Sequence, residues 1–282
     1  MSQEGTKLTQ AHSLCRFHLA HLTFDMTLEF IECSTVHERE ENEWLFVYHK
    51  LVYRDIQRKR YYLAYCHEKY VNPDPKDAKL FRIPLEAIFP PVPRSLPLVL
   101  WYEQVPYGCY LKRPKLLHYD KDHSLDPAKI LLHEFCIHQA LEASPHINIA
   151  PFVAGLVKDG YLKGIILPSY PRSLQEKLET DEPIQVEKII KGVKAALAHL
   201  HKRGLVYMNL EPRHIMLRDN DEPVLVGFSY CQFRGDTCYA LPQGDWIKKI
   251  PNQLLRSTSP LVDFLALVML REQLVTRGGF RR

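Results

Sequence analysis

Aromatic and β-branched residues crowd three stretches near the start of the chain, at residues 26–30, 44–53 and 61–66. That composition suits a pleated, half-buried surface, so each stretch predicts a strand. Strand packing, rather than a binding face, accounts for Trp44, Tyr48, Tyr53, Tyr61 and Tyr62. The polar run 54–60 predicts a hairpin loop between the last two strands. Residues 1–20 read as a loose end with a short helical patch. Pro73 and Pro75 interrupt the pattern, and a second cluster, Pro90, Pro91, Pro93 and Pro97, marks a boundary. Beyond it, residues 98–101 and 108–113 predict strands. Residues 129–143 predict a helix with Ile130, Leu131, Phe135 and Leu141 as its apolar positions, and 164–167 a short buried strand. Pro183 stands near the start of an amphipathic helix. Its Val186, Ile189, Ile190, Val193, Leu197 and Leu200 recur at helical spacing, and Gly204 ends it. Short apolar pieces follow around Leu205, Ile215 and 224–226, and residues 261–274 predict a buried helix. Strands dominate the first half and helices the second. The expected class is α+β: a β-rich extension over residues 1–93, then a main domain over 94–282 in two lobes, 94–167 and 168–282, with a cleft between them.

The 282 residues are 46% hydrophobic, enough for a sizeable core. The net charge of +4 is mild and spread along the chain, which argues against a nucleic-acid partner. The seven cysteines are odd in number and form no CxxC pair, so reduced thiols in the cytoplasm or nucleus are expected. Residues 1–10 lack the apolar core of a signal peptide, and no run of about 18 apolar residues predicts a membrane span. His133, Cys136, His138 and His146 lie close in sequence, but His133 and His138 are five apart and share a helix face poorly, so no metal site is expected. Ser169 and Ser229 lack a nearby His–Asp arrangement, which leaves nucleophilic hydrolysis without support.

The segment GLVYMNLEPRHIML, residues 204–217, resembles the catalytic loop of eukaryotic protein kinases, and most of all that of fungal kinase-like sequences. The usual frame there is H-x-D-[LI]-[KN]-P-x-N-I-[ML]-L; Leu205, Leu210, Pro212, Ile215, Met216 and Leu217 fit its framework positions. Residues 223–228, PVLVGF, fit the strand that normally leads into D-F-G. Asn209 stands at the catalytic aspartate position, 18 residues before Gly227 at the metal-binding aspartate position. Residues 259–267 resemble the helix that anchors the C-terminal lobe, with Asp263 at its buried aspartate position. Residues 146–150 resemble the turn after the N-lobe helix. Lys112 in GCYLKR looks like the phosphate-contacting lysine and Glu134 like its ion-pair partner. The resemblance covers roughly residues 98–275. It implies a two-lobed protein-kinase-like fold. Because only 19 residues follow Asp263, it also implies a truncated helical C-lobe.

A kinase positions ATP, holds magnesium on oxygen ligands and accepts a proton from the attacking hydroxyl. Asn209 cannot take up a proton near neutral pH. His214, at the second metal-ligand position, is a poor ligand for magnesium. Gly227 offers no side-chain oxygen at all. Glu211 puts a negative charge where many kinases carry a phosphate-contacting lysine. Tyr207 and Met208 replace the His-Arg pair, and Gly108 is the only glycine where a G-x-G-x-x-G loop is expected. The expectation is a catalytically inactive pseudokinase that binds or regulates a protein partner. No cofactor is required, ATP remains a candidate ligand at Lys112 and Glu134, and magnesium is not expected. The shortened C-lobe would leave apolar surface open on the last helix, for a partner or for self-association. One alternative is an atypical active kinase recruiting Asp219, Asp221 or Asp236, although the first two suit the turn RDNDEP. Another is a degenerate, truncated gene product.

Overall fold

The computed structural model describes residues 28–40, 43–69, 79–92, 101–102, 104–119, 126–236 and 250–279. The expectations for residues 1–20, for Pro73, Pro75, Pro93 and Pro97, and for 98–100 lie outside that set. The class is mixed α+β. The chain divides into two units, one of residues 1–89 and 114–129, the other of 90–113 and 130–282.

The first unit carries β1 (Leu28–Glu40), β2 (Glu43–Asp55), β3 (Arg60–Cys66) and β4 (Phe81–Ile83), an antiparallel sheet in that order. β1 runs well past the expected end at Phe30. Its register shifts at Phe30/Glu32, where Ile31 is the extra residue of β1, and at Val36/His37, where Val47 is the extra residue of β2; the first bulge flips the alternation of β1 that would mark a strand. Leu51 and Tyr53 pair with Ala64 and Tyr62 on one face, while Val52 pairs with Leu63 on the other. All but Tyr62 are buried. The β2–β3 turn closes where Asp55 accepts a 2.9 Å bond from the Arg58 amide. A short helix, α1 (Leu85–Ile88), adds Ile88 to the buried residues. Further along, a 3₁₀ turn at Leu116–His118 is tied to β1 by the Leu117 amide, which donates to Glu32 at 3.1 Å.

The second unit begins with β5 (Trp101–Tyr102) and β6 (Cys109–Lys112), then the body of α2 (Pro127–Glu142), β7 (Ala154–Lys158) and β8 (Tyr161–Pro168). Sheet order is β5-β7-β8-β6; β5 runs parallel to β7 and the other pairs are antiparallel. α2 lays Leu131 and Phe135 against Leu162, Ile165 and Leu167 of β8. The helical part follows as β9 (Arg172–Ser173), α3 (Leu174–Leu178), α4 (Val186–Lys202), β10 (Leu205–Val206), β11 (Ile215–Leu217), β12 (Pro223–Leu225), β13 (Gln232–Phe233), α5 (Asn252–Arg256) and α6 (Pro260–Gly279). α3 starts on a capping box: Ser173 Oγ accepts from the Glu176 amide while Glu176 reaches back to the Ser173 amide. α4 buries Ile189, Val193, Ala196, Leu197 and Leu200, and its neighbours include Leu267, Leu270 and Leu274 of α6. α6 is buried on one side only. Leu261, Phe264, Val268 and Val275 are exposed, so the buried helix expected over 261–274 is amphipathic in place rather than enclosed.

Candidate functional site

The residues singled out by the kinase-like frame gather in the second unit, on β6, α2, the 207–214 loop and the 226–229 turn. Lys112 ends β6, and Glu134 lies mid-way along α2. The two form an ion pair, with Nζ 2.6 Å from Oε1 and 2.5 Å from Oε2. The carboxylate is 1% exposed. It also accepts the Phe228 amide on Oε1 at 2.8 Å and the Ser229 hydroxyl on Oε2 at 2.5 Å. Burial alone would raise the Glu134 carboxyl. The Lys112 charge, the neighbouring His138 and the bonds from Lys112 and Ser229 outweigh it and hold the group below its ordinary value.

His138, one turn further along α2, has Nε2 3.9 Å from Glu134 Oε1. The geometry would suit an ion pair, but burial pushes the imidazole down to about 4, so it is neutral near pH 7. Its ring stacks on Phe152 and meets Phe228 edge-on, and neither nitrogen has a hydrogen-bond partner among the described residues. His133 leads elsewhere: its Nε2 bonds the Cys231 carbonyl at 2.6 Å. The carbonyl can only accept, so Nε2 carries the proton.

The 207–214 loop is fixed from below by Asp263 on α6. This buried carboxylate accepts the Tyr207 amide, the Met208 amide and His201 Nε2, each at 2.8 Å. Met208 sits at φ +64°, a left-handed conformation that costs a non-glycine residue and that the paired amide bonds hold in place. Beside it, Asn209 is buried, and its carbonyl accepts from His214 Nδ1 at 3.0 Å. The Tyr207 hydroxyl donates to the Val226 carbonyl, tying the loop to the strand end before Gly227. Gly227 has φ +78°, and a Cβ built there would lie 3.2 Å from His214 Cδ2. The imidazole therefore stands against the space a side chain at 227 would enter. Glu211 pairs with Arg213, Oε2 to Nε at 2.7 Å and Oε1 to Nη2 at 3.0 Å, so its charge is compensated locally.

Of the residues named for the atypical-kinase alternative, Asp221 has its carboxylate paired and Asp236 is held through its backbone carbonyl. Asp221 is held by the buried Lys177 at 2.5 Å. The Asp236 carbonyl receives the Thr258 hydroxyl at 2.6 Å. Among the described residues no cluster of three His, Cys, Asp or Glu side chains is placed to hold a metal ion. Cys33, Cys66, Cys109, Cys136 and Cys231 are free thiols, and burial pushes that of Cys231 well up.

Two contacts at and near the candidate site escaped sequence reasoning. Ser229 bonds to Lys112 and Glu134, partners more than 90 residues away in the chain, so no local pattern points to it. The Lys177–Asp221 pair has no local signal. No family model matches the chain and no curated protein is similar to it. The functional reading therefore rests on these residues and their geometry.

Proposed function

We propose that this chain is a protein-kinase-like pseudokinase that binds a protein partner and does not transfer phosphate. One observation carries the reading. The loop at 207–209 is held by Asp263 and the Lys112–Glu134 pair is formed, yet the chemistry-bearing positions hold an amide, an imidazole and a glycine. Asn209 accepts no proton near pH 7, and His214 uses Nδ1 on the Asn209 carbonyl. Position 227 supplies no side-chain oxygen, and His214 lies against it. Losing a general base alone costs about 10² to 10⁴ in rate, and losing the metal site removes its charge stabilisation as well. In this reading the second unit has the two-lobed kinase plan, with the β5–β8 sheet and α2 in one lobe and α3 to α6 in the other.

The partner surface in this reading is the exposed apolar stripe of α6, formed by Leu261, Phe264, Val268 and Val275. Positions three, four and seven apart share one helix face. A second copy of the chain is one occupant of that stripe. Cytoplasm or nucleus is the proposed compartment; no described helix is long and apolar enough to cross a membrane. The atypical-kinase alternative is weaker because Asp221 is already neutralised by Lys177.

The test is a phosphotransfer assay on the purified chain with magnesium and labelled ATP. No transfer above the buffer control is expected. Magnesium-dependent transfer that disappears in Lys112→Ala would overturn the reading.

A further inference from the structure

The polar valences of Lys112 and Glu134 close on each other with nothing left over. An ammonium has three N–H donors and no acceptor. Lys112 has three oxygens within bonding distance: Glu134 Oε1 at 2.6 Å, Glu134 Oε2 at 2.5 Å and Ser229 Oγ at 3.0 Å. An ionised carboxylate offers about four lone-pair sites. On Glu134, Oε1 receives Lys112 and the Phe228 amide, while Oε2 receives Lys112 and the Ser229 hydroxyl. Ser229 Oγ thus accepts from the cation and donates to the anion at once.

Saturation matters because the Lys112 side chain keeps 21% of its surface exposed. A solvent-facing ammonium with a spare donor is a ready ligand for phosphate oxygens. We propose that Ser229 closes the Lys112–Glu134 site to phosphate-type anions, by occupying the ammonium donor that Glu134 does not use. This rests on the pseudokinase reading and deepens it, since it names the residue that keeps the remaining phosphate-binding group silent. An incoming phosphate must displace Ser229 from Lys112. Rotating the hydroxyl away also uncovers a lone pair of the buried carboxylate, and an unsatisfied buried acceptor is costly. With the hydroxyl removed, one ammonium donor is open from the start.

The experiment is calorimetric titration of the full chain with inorganic tripolyphosphate and, separately, with magnesium-free ADP. Four proteins are compared: wild type, Ser229→Ala, Ser229→Thr, and Ser229→Ala combined with Lys112→Met. Ser229→Ala is expected to bind both probes at least about tenfold more tightly than wild type, roughly 1.4 kcal/mol. Ser229→Thr keeps the hydroxyl and is expected to match wild type. The double variant is expected to lose the gain, which separates this site from attraction to the net positive charge of the chain. Should the alanine variant melt below the working temperature, Ser229→Cys replaces it, because a thiol is a poor donor and acceptor of similar size. Equal affinity in wild type and Ser229→Ala overturns the proposal. A gain that survives without Lys112 overturns it as well. Phosphate transfer by the wild-type chain would instead sink the pseudokinase reading, and the Ser229 comparison would still report on the closure.

Discussion

Burial decides the ionisation of His138, against the pull of the neighbouring Glu134 carboxylate. The four acceptor sites of Glu134 are taken by Lys112, Ser229 and the Phe228 amide, so His138 is left beside the carboxylate without a bond to it. The consequence is a pH response. A histidine has an ordinary value of 6.5, and folded His138 lies at about 4. Below pH 6.5 the unfolded chain binds a proton that the native chain refuses, so stability is full above that pH and falls as pH drops toward about 4. The loss by pH 5 is about 2 kcal/mol at this one site. Glu134, held below its ordinary 4.5, adds a loss of the same sign at still lower pH, because its stabilisation is present above the unfolded value and fades beneath it. Urea unfolding at pH 7.5 and pH 5 checks this. His138→Phe, which keeps ring contacts with Phe152 and Phe228, is expected to lose less stability between the two pH values than wild type. An unchanged pH dependence would mean that His138 is protonated in the native state. Lys112, Glu134, Asn209, His214 and Gly227 were singled out in the sequence by their likeness to a kinase frame. Ser229 was legible only as a serine, because its role depends on a lysine and a glutamate far away in the chain.

Helices and strands here are set by local rules and then adjusted by their neighbours. α4 follows its predicted periodicity, with a glycine in its interior that periodicity does not explain. A Cβ at Gly192 would lie 2.5 Å from Pro223 Cγ and 3.0 Å from Asn148 Nδ2. Asn148 in turn donates to the Pro223 carbonyl at 2.7 Å, which fixes the β12 end against the helix. Alanine is the better helix former by about 1 kcal/mol. Even so, Gly192→Ala is expected to destabilise by about 1–3 kcal/mol through overpacking. A lower urea midpoint at unchanged slope would show it; a higher midpoint would mean that α4 and β12 separate easily. α3 tests the opposite case, an element held by a local signal. Ser173→Ala removes the cap from a five-residue helix and is expected to cost about 1 kcal/mol, read in the same assay. β1 shows where local pattern fails. The extra residue Ile31 breaks its alternation after Phe30, and pairing to β2 identifies residues 32–40 as strand.

At the scale of the molecule, the outstanding feature of the second unit is the α6 stripe. Phe264 is 57% exposed on a helix whose other face packs into the core with Leu267, Leu270 and Leu274. Phe264→Asp is expected to leave the melting temperature within about 2 °C, because exposed substitutions shift stability by at most about 0.5 kcal/mol. The same change is expected to abolish any concentration dependence of sedimentation shown by the wild type. Concentration-dependent sedimentation that persists in the variant would place self-association elsewhere. Periodicity and composition were enough to specify the α+β class and the positions of α2, α4 and α6, since each is a property of consecutive residues. Packing across the chain chose the rest. It selected which face of α6 is covered, turned Asp221 into a partner of Lys177, and brought Ser229 between Lys112 and Glu134. Those outcomes depend on residues tens of positions apart arriving within 3 Å of each other. Only a folded backbone can impose such distances.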